Sequence, residues 1–194
     1  MHAIMTKLAR IMATIGGIIL SALIVLTCIS VAGRTLNTLL HNDWIEARFA
    51  ETAQYFLDLG VGPILGDYEL VEAGIAFTIF AFLPLCQITG GHASVDIFTS
   101  KFPDRINRFI SMVVEVIFAI VLIIIAWRLY EGMLSKMKYN ETTYLLLMPV
   151  WWAYGASLFG AIIAAIIGVY MASVRVMESL TGRIIITALP ETDH

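Results

Sequence analysis

Residues 11–32 read IMATIGGIILSALIVLTCISVA and contain no charged side chain. At a rise of about 1.5 Å per residue, a helix of this length crosses the roughly 30 Å of hydrocarbon in a bilayer. The stretch is also longer than the hydrophobic region of a secretory signal peptide, which usually has about 7–15 residues. We therefore predict a transmembrane helix that is retained in the protein.

Three further apolar stretches follow, at about 69–88, 109–127 and 149–172. Hydrophobic residues make up 59% of the 194-residue chain and charged residues only 14%, which is more apolar surface than a soluble domain of this size can bury. The connecting segments are too short for a second globular domain. We predict an all-α integral membrane protein in which residues 1–194 form one membrane domain with four transmembrane helices.

The segment between the first two spans predicts one additional, amphipathic helix at about 44–59. Ile45, Phe49, Ala53 and Phe56 recur there at spacings of three and four residues, opposite four charged side chains. Such a helix either lies flat in the headgroup region or packs its apolar face on the other helices of this protein or on a partner, and the pattern fits both uses equally. Phe49 and Phe56 are therefore candidate interface residues.

Basic residues favour an orientation with both termini in the cytoplasm and the amphipathic helix on the outer side. Four spans place both termini on one side, where seven of the twelve Lys and Arg residues fall, against five on the other side. The seven are Lys7, Arg10, Lys101, Arg105, Arg108, Arg175 and Arg183, and the five are Arg34, Arg48, Arg128, Lys136 and Lys138.

A stripe of small residues runs along the fourth span. Ala156, Gly160, Ala164, Gly168 and Ala172 recur every four residues, and in lipid such a stripe allows helix backbones to approach closely. The pattern predicts a packing face. Its neighbour is either another helix of this chain or a separate subunit.

Two glutamates, Glu72 and Glu115, lie within predicted spans. Ionisable side chains are costly there, so they indicate either a proton or cation path or a structural pairing. A path needs polar groups in the middle of the membrane, but the central stretches 76–83 and 117–125 offer only Thr78. This scarcity favours the structural role.

No pattern typical of an enzyme or of a cofactor site occurs. Cys28 and Cys86 stand alone in separate spans, and all four histidines lie outside the spans. The sequence has no glycine-rich phosphate-binding motif. A net charge of −3 gives no basic surface for nucleic acid. We expect no catalytic, metal-binding or substrate-binding residue and no cofactor in this chain.

Three short motifs occur in order at the ends of the second and fourth spans. They are GDYEL at 66–70, QITGGHASVDIF at 87–98 and MPVWWAY at 148–154. Their order and spacing among four spans resemble the small membrane subunit of the tripartite ATP-independent periplasmic (TRAP) transporters, the DctQ-like family. The resemblance covers nearly the whole chain, from about residue 10 to residue 175.

The resemblance implies a non-catalytic scaffold subunit in the bacterial inner membrane with cytoplasmic termini. In such transporters a large, DctM-like membrane subunit carries the substrate and sodium sites, and a periplasmic solute-binding protein delivers an organic acid. These two proteins and membrane lipids are the implied partners, and none of the coupling residues transfers to this chain. The sequence is also compatible with an independent four-helix ion or proton pathway and with a tetraspan assembly factor.

Overall fold

The computed structural model describes residues 1–41, 54–55, 60, 62–91 and 104–181. Four long α-helices account for most of this part, and each is long and apolar enough to cross a membrane. They are α1 (His2–Leu40), α2 (Asp67–Thr89), α3 (Asp104–Lys138) and α4 (Trp151–Thr181). The predicted all-α fold with four candidate transmembrane helices is therefore confirmed.

The predicted amphipathic helix at 44–59 lies outside the described residues, apart from Gln54 and Tyr55. Phe49 and Phe56 consequently stay predictions.

The helices extend well beyond the apolar stretches that revealed them. α3 continues eleven residues past Trp127 to Lys138, through the sequence RLYEGMLSKMK, which is rich in good helix formers. α2 has sharper limits, because Gly66 at φ 78° precedes it and Gly90 at φ 68° follows it. Glycine adopts this left-handed conformation without steric cost, so both positions interrupt the helix.

The helices pack side by side in the order α1, α2, α4, α3. α4 is the most buried helix. In its most apolar 18-residue segment 67% is buried, against 28% in the corresponding segment of α2 and 11% in those of α1 and α3. α1 and α3 therefore form the two edges of an open layer. Most of their apolar surface remains available to lipid or to another protein.

A buried cluster holds α1, α2 and α4 together near the start of α1. Its fully or nearly fully buried members are Ala9 and Met12 of α1, Phe77, Ala81 and Ile88 of α2, and Ile163, Ile167 and Met171 of α4. At the other end of the layer, the connection between α3 and α4 forms a short hairpin at residues 141–150. We refer to the end of the layer that carries this hairpin as the hairpin end.

Candidate interface and polar sites

The small residues of α4 lie mainly against helices of the same chain. A methyl group added at Gly160 would lie 2.9 Å from the Cβ of Phe80, so the missing side chain lets α4 approach α2. Ala164 is completely buried. Ala156, one turn before Gly160 and nearer the hairpin, is exposed. This end of the stripe is therefore not buried against the other described helices.

Gly168 makes room for a polar contact between α2 and α3. The Nε2 atom of Gln87 lies 3.4 Å from the position that a Cβ would take at Gly168. This amide donates a hydrogen bond of 3.2 Å to Oε2 of the half-buried Glu115. Gln87 is completely buried, and its Oε1 atom has no hydrogen-bond partner among the described residues. Three helices thus meet at one polar junction.

Glu72 lies apart from this junction. It is exposed on α2, and it makes no hydrogen bond or ion pair with the described residues. Fifteen residues separate it from Gln87, which corresponds to about 22 Å along the helix axis. The structure therefore does not bring together Glu72 and Glu115, the two glutamates predicted to lie within spans.

Glu69, in the first turn of α2, binds the hairpin between α3 and α4. Its carboxylate accepts hydrogen bonds from the backbone N–H of Leu145 at 2.7 Å and of Leu146 at 3.0 Å. The hairpin is closed by an isolated bridge between Thr142 and Pro149. The hydrogen bonds from Leu145 and Leu146 to Glu69 join residues more than seventy positions apart. No local pattern in the sequence predicts them.

An ion pair between Arg34 and Asp67 joins α1 to α2 at the same end, with 3.5 Å between the two side chains. Nearby, Gly33 faces the backbone carbonyl of Gly62 and has no room for a side chain. The beginning of α2 is therefore tied both to α1 and to the hairpin.

The exposed side of α3 carries a polar cluster. Trp127 Nε1 donates to Glu131 Oε1 at 2.9 Å, and an Arg128 N–H donates to Glu131 Oε2 at 3.0 Å. The Arg128 and Glu131 side chains are 78% and 47% exposed. Ile120 and Ile124 precede the cluster on the same side, each about half exposed. We call these five residues the exposed α3 face.

The position of α4 indicates the depth of this ion pair. Close contacts at Gly132 and Gly168 place residues 122–132 of α3 beside residues 154–168 of α4. α4 contains no charged residue over 151–174. The ion pair lies nearer the Gly132 contact, so it is beside the first turns of α4, close to Tyr154. The apolar run ends at residue 127, but α3 continues to Lys138, so Arg128 and Glu131 belong to the helix rather than to a loop.

Comparison with protein families yields a match over most of the chain. The model described as "Tripartite ATP-independent periplasmic transporters, DctQ component" matches residues 23–178, a range that reaches from the middle of α1 to the last turn of α4. Comparison with curated proteins and with solved structures yields no match. The matched family is a transporter component rather than an enzyme family. This chain therefore belongs to the DctQ component family of the tripartite ATP-independent periplasmic transporters.

Proposed function

We propose that this chain is the scaffold subunit of a TRAP-type importer and pairs with a large, DctM-like transport subunit. The importer takes up an organic acid, driven by sodium, after a periplasmic solute-binding protein has delivered the acid. Family membership supports the transport role. The sodium coupling, the organic acid and both partners are carried over from the family resemblance and not from any residue of this chain.

We place the chain in the bacterial inner membrane with both termini in the cytoplasm. Seven basic residues on the side of the termini, against five on the other, support this orientation. In that orientation the hairpin end faces the periplasm, where a solute-binding protein would meet the complex.

The ion pair on the exposed α3 face is the observation that supports a membrane partner most strongly. Arg128 and Glu131 lie within α3 beside the first turns of α4, next to the exposed apolar side chains of Ile120 and Ile124, and both are open to the surroundings. A charged side chain on the lipid-facing side of a span is unfavourable, although the cost is smaller near the membrane boundary than at the bilayer centre. Polar groups on a partner helix would remove much of that cost, so we propose that α3 is the edge that binds the large subunit.

The opposite edge of the layer differs in chemistry. α1 exposes Ile18, Ile24, Val25 and Ile29, and residues 11–33 contain no charged side chain. Such a surface matches lipid chains without any polar complement. We therefore propose that α1 faces lipid while α3 faces the partner.

The alternative of an ion or proton pathway gains no support from the described contacts. Glu115 is engaged by Gln87, and Glu72 lies about 22 Å away along α2. Thr78 lies between them in depth, but its hydroxyl donates to the backbone carbonyl of Ile75 at 2.9 Å. A continuous polar route between the two glutamates is absent from the described part of the chain.

Affinity purification from native membranes tests the proposed pairing. The tagged chain is extracted in mild detergent, and co-purifying proteins are identified by mass spectrometry. We expect a large polytopic membrane protein at a constant ratio to the chain. Recovery of the chain alone in several detergents would contradict the pairing, and recovery of varied, unrelated membrane proteins would favour an assembly factor.

Two bulky substitutions locate the contact in the same experiment. Ile124→Trp enlarges the exposed α3 face, and Ile24→Trp enlarges the exposed edge of α1. The two isoleucines are matched, being 51% and 56% exposed. We expect Ile124→Trp to lower the amount of co-purified large subunit several-fold and Ile24→Trp to leave it unchanged.

A further inference from the structure

The hairpin between α3 and α4 presents an uncharged, apolar tip. Residues 142–150 read TTYLLLMPV and contain no charged side chain. Tyr144 is 95% exposed, Leu147 69% and Leu145 57%. An exposed apolar cluster of this kind in a loop indicates contact with something other than bulk water.

The backbone of the hairpin is largely satisfied by the protein itself. The N–H of Thr143 donates to the Met148 carbonyl at 2.8 Å, and the N–H of Val150 donates to the Glu141 carbonyl at 3.0 Å. The Met148 N–H donates to Thr143 Oγ1 at 3.1 Å. These bonds matter because a backbone that leaves water must find its hydrogen-bond partners internally.

The backbone N–H groups at the tip find their hydrogen-bond acceptor on α2. At the tip, the N–H groups of Leu145 and Leu146 both donate to the Glu69 carboxylate. Leu146 is also packed directly against Gly66, where an added Cβ would overlap it. These contacts hold the tip against the start of α2 and prevent it from projecting away from the ends of the helices.

Exposed aromatic and apolar residues also occur in the helix turns next to the hairpin. Trp152, in the first turn of α4, is 54% exposed, and Tyr68, in the first turn of α2, is 74% exposed. Met137, near the end of α3, is 44% exposed. Tryptophan and tyrosine favour the boundary between headgroups and acyl chains. The apolar surface therefore continues from the helices into the hairpin.

We propose that the α3–α4 hairpin is a lipid-binding element whose tip enters the boundary between headgroups and acyl chains. Tyr144, Leu145 and Leu147 supply the apolar contact, and Glu69 supplies the acceptor that two backbone amides would otherwise seek in water. We choose lipid as the occupant because the tip is uncharged, its backbone is hydrogen-bonded within the chain and its apolar surface adjoins helices long and apolar enough to cross a membrane. The proposal does not depend on which solute or partner the transporter uses.

Spin-label accessibility tests this placement in the full chain, reconstituted with its co-purifying proteins in phosphatidylethanolamine–phosphatidylglycerol vesicles. Both native cysteines are replaced by serine, and a nitroxide is attached at Leu147→Cys. Reference labels are placed at Ile24→Cys, on the exposed apolar edge of α1, and at Lys138→Cys, at the exposed end of α3. Collision rates with oxygen and with a water-soluble nickel chelate are then compared.

We expect the ratio of oxygen to nickel collisions at Leu147 to be several-fold higher than at Lys138 and closer to that at Ile24. A ratio equal to that at Lys138 would place the tip in water and overturn the proposal. An immobilised label shielded from both reagents would show that a protein covers the tip, which also overturns it. Adding Glu69→Gln should raise nickel access at Leu147, because the freed amides then draw the tip towards water.

Discussion

The Glu69 carboxylate, in the first turn of α2, accepts a 2.7 Å hydrogen bond from the backbone N–H of Leu145 in the hairpin between α3 and α4. A second bond, from Leu146 at 3.0 Å, goes to the other carboxylate oxygen. The two halves of the layer, α1–α2 and α3–α4, are therefore joined at the hairpin end by one side chain.

Glu69→Gln should loosen the hairpin. Glutamine retains one acceptor oxygen and loses the charge, so at least one of the two charge-assisted bonds is lost. We expect a lower midpoint of thermal unfolding in detergent and faster amide exchange at Leu145 and Leu146. Glu72→Gln is the matched control, since Glu72 lies one turn further along α2 with no partner among the described residues. An equal effect of both substitutions would contradict the role assigned to Glu69.

Gly160→Ala should destabilise the contact between α2 and α4. The added methyl group would lie 2.9 Å from Phe80 Cβ, and overpacking of this kind typically costs about 1–3 kcal/mol. Gly17→Ala is the control, because a Cβ at Gly17 meets nothing within 4 Å and alanine favours the helix by about 1 kcal/mol. Thermal unfolding should separate the two variants clearly, with Gly17→Ala at or above the wild type.

The Gln87–Glu115 contact predicts a coupled pair of substitutions. Gln87→Leu removes the donor and leaves the half-buried Glu115 without it, so we expect a loss of stability. Adding Glu115→Leu removes the orphaned carboxylate as well, and replacing both partners by apolar groups is often close to neutral. The double variant should therefore regain stability, with a coupling energy of about 0.5–3 kcal/mol. Strictly additive effects in this cycle would argue against a direct interaction.

The amphipathic helix predicted at 44–59 is tested separately. We propose that its apolar face packs against the large subunit or contributes to the docking rim for the solute-binding protein. Replacing Phe49 and Phe56 with Asp places charges on that face and should weaken complex assembly or solute uptake. Wild-type assembly and uptake in both variants would remove this role. Glu51→Gln, on the opposite side of the predicted helix, serves as the control.

The four helices were predictable because hydropathy is a property of local sequence. The contacts between them were not, since they depend on how far one helix is displaced along its neighbour. Arg128 illustrates this point: it follows the last residue of an apolar run, yet the helix continues to Lys138 and packs beside the first turns of α4.

The small-residue stripe shows the same limit. Its spacing predicted a packing face, but only the structure distinguishes Gly160 and Gly168, which lie against helices of this chain, from the exposed Ala156. The contact of Gln87, the first residue of the motif at 87–98, was not predicted for a related reason. A glutamine near the end of a predicted span is ordinary, and its significance depends on Gly168 and Glu115, which come from two other helices.

The most direct test of the proposed pairing is site-specific photocrosslinking in native membranes. A photoreactive amino acid is placed at position 124 on the exposed α3 face or, as the matched control, at position 24 on α1. We predict that position 124 crosslinks to a single large polytopic membrane protein and that position 24 forms adducts only with lipid. Crosslinks to such a protein from position 24 but not from position 124 would contradict the assignment of α3 as the binding edge.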